Sequence, residues 1–241
     1  MQKDISWKFS LIWISFYGIA MGFLESAVVV YLRRIYYPYG FDFPLASMES
    51  SMVGTEVLRE LATMIMLLTV SILSGRNFRQ RIAYFIYSFA IWDIFYYIFL
   101  YVLTGWPSSL MTWDILFLIP DLWVGPVISP VLVSITMIVL ALIILVKDAK
   151  GLKFNLNFFS ISFFIAGACL VFLAFVWDYS RYMLNYHTLK ELLNLPENRA
   201  VFDTAGNYLP QQFNWFLFIF GEVLVISAII LPFFRNKSIP K

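Results

Sequence analysis

Six stretches of the chain, at about 9–32, 54–74, 82–104, 127–146, 158–177 and 213–234, are apolar over close to the roughly 20 residues an α-helix needs to cross a bilayer core. In hydrocarbon every backbone donor and acceptor has to be satisfied within the protein, so spans of this kind form helices. Of the 241 residues only 13% are charged and 61% are hydrophobic, against about 25% and 45–50% in soluble domains. Too little chain remains outside the runs to build a second domain. The expected architecture is therefore all-α: a polytopic integral membrane helix bundle of six transmembrane helices, with residues 1–241 forming a single transmembrane domain. The first run is too long for the apolar core of a signal peptide and no small-residue cleavage site closes it, so it reads as a retained span.

The basic residues set an orientation. Lys3 and Lys8, the segments 75–81 and 147–153, and the tail 235–241 hold eleven of the 17 Lys and Arg residues, and six spans put them all on one side. The positive-inside rule makes that side cytoplasmic, with both termini, in a plasma (inner) membrane. Arg33, Arg34, Arg181, Lys190 and Arg199 fall outside, and Arg59 lies near the outer end of the second run. Only Asp4 and Asp148 of the 15 acidic residues lie in the cytoplasmic segments. Longer outer loops account for part of that bias, and an outer cavity for the rest. The net charge of +2 comes from basic residues dispersed beside apolar spans, a pattern that gives no surface for nucleic acid.

Between the third and fourth runs, Pro107, Pro120, Pro126 and Pro130 oppose a continuous helix. The apolar piece 115–119 is too short to span. The segment 106–130 is expected as a re-entrant or interfacial half-helix on the outer side, or as a Pro-rich loop anchored by Trp106, Trp113 and Trp123. In 178–193, Tyr179, Tyr182, Met183, Tyr186, Leu189 and Leu193 recur at helical spacing, which predicts an amphipathic helix over the outer surface.

Four of the runs carry an acid: Glu25, Glu60, Asp93 and Glu222. At about 1.5 Å per residue from the cytoplasmic ends, they stand roughly 24, 21, 17 and 18 Å up a core about 30 Å thick, hence in one slab. Small or polar neighbours share the helical face of each. Gly18, Gly22 and Ser26 run beside Glu25, and Glu56, Thr63 and Ser71 line up with Glu60. Tyr97 sits one turn above Asp93, and Phe218 one turn from Glu222. Charges at such depth are costly and face protein or a wet cavity, so an inward cluster is expected, with Arg59 as the nearest counter-ion and a local Glu56–Arg59 pair as the simplest alternative. Asp114, Asp121 and Asp178 read as solvated loop ends or a cavity mouth.

His187 is the only histidine and Cys169 the only cysteine, which argues against histidine- or thiolate-held metals and against haem. Nucleotide-loop, serine-elbow and zinc-helix motifs are absent too, so neither a metal nor a cofactor is expected. Carboxylates, tyrosines and arginines remain, a set able to bind cations, relay protons, or act as general acid and base. Three functions follow. Glu25, Glu60, Asp93, Glu222, Tyr97 and Arg59 can form a binding or proton-relay site for proton- or cation-coupled transport of a small solute. The same acids can catalyse acid–base chemistry on a lipid or isoprenoid; in size and reliance on carboxylates the chain is broadly similar to small membrane-bound terpene cyclases, without a shared motif. They can also be packing groups of a non-catalytic membrane subunit or assembly factor. The partners implied are membrane lipids and a small cation or lipid-like substrate.

Overall fold

The computed structural model describes residues 6–46, 48–152, 158–188, 191–192 and 199–235. Its helices are α1 (Trp7–Tyr36), α2 (Ser50–Ser74), α3 (Phe78–Thr104), α4 (Ile128–Ala149), α5 (Phe158–Tyr186), α6 (Arg199–Gly206) and α7 (Trp215–Arg235). Five of them, α1 to α5, are long and apolar enough to cross a membrane. The sixth expected span is α7, 21 residues long, whose apolar stretch covers Trp215–Ile230. An all-α bundle is the architecture, and large apolar side chains such as Trp13, Phe16, Leu73 and Phe216 point outward from it, as a lipid-facing surface requires.

Local chemistry sets the helix ends. The Ser6 hydroxyl accepts the Lys8 N–H at the start of α1, and the Asn77 side chain accepts the Gln80 N–H at the start of α3. Gly105 ends α3 in the left-handed region, at φ +72°, where its N–H reaches the Tyr101 carbonyl. At the start of α3, Asn77 and Gln80 both donate to Asp148 of α4, the latter at 2.7 Å, and this ties two helix ends together.

Packing follows the small residues. The Gly18–Gly22–Ser26 stripe lies on α3: a Cβ on Gly22 would stand 3.0 Å from the Trp92 carbonyl oxygen, and the Ser26 hydroxyl donates to the Tyr96 carbonyl at 2.9 Å. A second close crossing joins α5 to α7, where a Cβ on Gly167 would come within 2.6 Å of the Gly221 carbonyl oxygen. Three apolar clusters result. Ile14, Tyr84 and Leu145 form one, near the start of α3, Met21, Leu67 and Trp92 a second, and Val171, Phe175, Phe213 and Phe218 a third between α5 and α7.

Two expectations change. The segment 106–130 contains no half-helix. Trp113–Phe117 (β1) and Trp123–Pro126 (β2) pair antiparallel, with Trp113 opposite Pro126, Asp114 opposite Gly125 and Ile115 opposite Val124. A few residues bounded by prolines cannot nucleate a helix, whereas aromatic and β-branched side chains suit a strand and the two strands satisfy one another's backbone groups. The second change is that Tyr179, Tyr182, Met183 and Tyr186 belong to the continuation of α5, not to a separate surface helix. Tyr179 and Tyr182 pack edge-on or tilted against Tyr208, and the Tyr182 hydroxyl donates to the Thr204 carbonyl of α6. Leu189 and Leu193 lie outside the described residues.

Candidate functional site

On α2, Glu56, Glu60, Thr63, Leu67 and Ser71 are buried along one stripe, as their spacing predicts. Arg59 is the stripe's counter-charge. Its Nε and Nη2 both reach Glu56 Oε2 at 2.8 Å, one helical turn back. Its Nη1 donates to Glu25 Oε1, so this single guanidinium joins α1 to α2. Glu60 lies within the electrostatic reach of Arg59, Glu25 and Glu56 but bonds something else. Both of its carboxylate oxygens accept the backbone N–H of Leu118, at 3.1 and 3.0 Å. Leu118 follows directly on β1, where the hairpin turns and that N–H has no strand partner. A side chain of a spanning helix thus holds the tip of the hairpin. Phe117, the neighbouring residue, stacks on Phe89 with rings 10° from parallel and meets Trp92 and Trp123 edge-on or tilted, so the tip is packed as well as bonded.

The hairpin carries a second charge pair. Asp114, on β1, is 2% exposed and accepts from Arg33 Nη2 at 3.2 Å. Arg33 ends the inward face of α1, in step with Gly22, Ser26 and Val30. Its guanidinium carbon lies 3.7 Å from the Trp106 ring centroid and 4.3 Å from that of Phe41. Those contacts suit a weakly hydrated, delocalised cation. Burial pushes the Asp114 carboxyl up to about 6, while Arg33 pulls the other way. Asp114 is therefore not the solvated loop end that its sequence surroundings suggest. The Asp114 side chain alternates away from Trp113 into the bundle, and Tyr97 of α3 faces it.

Asp93 and Glu222 do not join the group around Arg59. Asp93 accepts from the Ser134 hydroxyl at 2.8 Å, and Glu222 from the Thr136 hydroxyl at 2.7 Å. Both donors are on α4 but two residues apart, about 200° around the helix, so α4 stands between the two acids. Tyr97, expected beside Asp93, lies between that residue's field and Asp114. The four acids therefore have separate partners: Arg59 for Glu25, the Leu118 amide for Glu60, Ser134 for Asp93 and Thr136 for Glu222. Asp121 accepts from Ser180 at 2.6 Å, and Asp178 from the Tyr208 hydroxyl at 2.7 Å and two backbone N–H groups, which makes them ties between the connecting segments and α5.

No family model, curated protein or solved structure matches this chain. Its chemistry rests on its own geometry. Three carboxylates, Glu25, Glu56 and Glu60, stand around one largely buried guanidinium, more acids than a single cation can pair. Among the described residues no group of three His, Cys, Asp or Glu side chains has the arrangement of a metal site. Such a cluster can share protons or take a monovalent or organic cation. Sequence reasoning placed Glu25, Glu60 and Arg59 in the site and treated Glu56 as a local partner; it named Arg33 only among several possible counter-ions and set Asp114 at a loop end or a cavity mouth. The usable signal for Arg33 was the step of three and four residues from Gly22, which sets it inward and leaves Arg34 exposed.

Proposed function

We propose that the protein is a proton- or cation-coupled carrier of a small solute, with Glu25, Glu56, Glu60 and Arg59 as the coupling site and the hairpin as its outer gate. One observation carries this: the Glu60 carboxylate, inside a charge cluster that one guanidinium cannot balance, is closed by the Leu118 amide of the hairpin. A hydrogen bond to a charged acceptor is roughly twice as strong as one to a neutral acceptor. A proton or cation arriving at Glu60 therefore weakens its hold on the hairpin tip. Occupancy of the site and position of the gate become two states of one equilibrium, the element that coupled transport needs. The orientation that belongs with this mechanism puts the termini in the cytoplasm and the hairpin on the outer face of the plasma (inner) membrane.

Asp93 and Glu222, each held by a hydroxyl of α4, fit a packing role, which is the observation that favours a non-catalytic subunit as the second reading. Charge displacement separates the two. Proteoliposomes adsorbed on a sensor and exposed to steps in pH or in monovalent cation concentration give a transient current if the cluster binds the ion within the membrane field. The carrier predicts a transient that Glu60→Gln abolishes and Glu222→Gln leaves. A folded wild-type protein without any transient would refute coupling at this cluster.

A further inference from the structure

Beside the Phe41 and Trp106 rings that hold Arg33, the loops form a half-open cavity of about 360 Å³, lined by Phe41, Phe43, Trp106 and Trp113 together with Asp42 and Thr112. Three of the rings form a connected set: Phe41 meets Phe43 and Trp106 edge-on, at 5.7 and 5.8 Å between centroids, while Trp113 packs on Phe213. Asp42 is exposed, spends Oδ1 on the Phe43 N–H, and has no ion-pair partner among the described residues. The nearby cation cannot serve an anionic ligand. Arg33 is not part of the cavity wall, and its Nη1 is buried and unpartnered behind the rings. Its charge is offset by Asp114. A ligand entering the cavity therefore meets ring surfaces and one free carboxylate. Phe41 and Trp106 hold the Arg33 guanidinium on the side away from the cavity, which shows that both rings accept a cation.

We propose that this cavity binds an organic ammonium group, methylated so that dehydration costs little, with the four rings as its cage and Asp42 as its counter-ion. The volume suits a small headgroup or solute. The chemistry is the same for a free quaternary amine and for the choline headgroup of a lipid, and the site does not depend on the carrier mechanism or on Glu60.

The test uses the full chain in detergent, titrated calorimetrically with tetramethylammonium chloride and with potassium chloride as the control. Saturable binding of tetramethylammonium that potassium does not displace is expected. Asp42→Asn, at an exposed residue, and Phe43→Leu, at a half-buried one, should each weaken it by about fivefold or more. Repeating the titration in nanodiscs distinguishes the sources. Loss of binding in phosphatidylcholine but not phosphatidylglycerol discs identifies the lipid headgroup, and equal binding in both identifies a free solute. No saturable binding in detergent, or binding that both variants leave intact, would overturn the proposal.

Discussion

Asp114→Asn tests the electrostatics of the hairpin quantitatively. Asn keeps the side-chain volume and an acceptor for Arg33 but cannot titrate. In the folded protein the Asp114 carboxyl is raised from its ordinary 3.8 to about 6. Between those two pH values the folded state holds a proton that the unfolded state has released. Stability therefore falls as pH rises through the window, and is lowered fully above about 6. At 1.36 kcal/mol per unit, the loss amounts to about 3 kcal/mol. The direction is opposite to that of an ordinary salt-bridged aspartate, because burial outweighs the attraction of Arg33. Other carboxylates titrate as well, so the measurement is the difference between variant and wild type. Unfolding in detergent, followed by tryptophan fluorescence from pH 4 to pH 7, should show the stability of Asp114→Asn rising relative to wild type by about 2 kcal/mol across that range, since part of the effect is already present at pH 4. A constant difference would mean that burial does not govern this carboxyl. A difference that falls with pH would mean that Arg33 holds it ionised, and the account of the hairpin pair would be wrong.

Further outcomes follow from the bundle. Arg59→Gln leaves Glu25 and Glu56 without their cation and should cost about 3–5 kcal/mol, with much of the loss recovered in the Arg59→Gln, Glu25→Gln double variant; chemical unfolding of the set measures it. Gly167→Val should destabilise by about 2 kcal/mol or more, since its Cβ meets the Gly221 carbonyl oxygen at 2.6 Å. Gly54→Ala, on the same assay, should be neutral or stabilise by up to about 1 kcal/mol, because nothing lies within 4 Å of the added carbon.

Length and hydropathy were enough for the helices, because lipid leaves the backbone few alternatives. Faces were legible where small or polar residues recur at helical spacing. Gly18, Gly22 and Ser26 do press on α3, and Glu56, Glu60, Thr63 and Ser71 are buried together. The hairpin was not legible, since short apolar pieces between prolines carry no period that separates strand from half-helix. Asp114 escaped for the same reason: its burial follows from strand alternation in an element that periodicity did not reveal. Depth counting grouped Glu25, Glu60, Asp93 and Glu222 by expected height and said nothing of azimuth. That Ser134 and Thr136 face opposite sides of α4, and so part Asp93 from Glu222, is tertiary information.

The tie between Glu60 and the hairpin is most directly read at the Leu118 amide. Hydrogen exchange resolved at that N–H, corrected for intrinsic rates, should show protection that weakens as pH is lowered or as a bound cation is supplied. Glu60→Gln, which leaves only a neutral acceptor, should cut the protection by about tenfold while the Ile115–Val124 ladder keeps its own. Equal protection at Leu118 in wild type and variant, at every pH and cation concentration, would contradict the coupling of the carboxylate cluster to its gate.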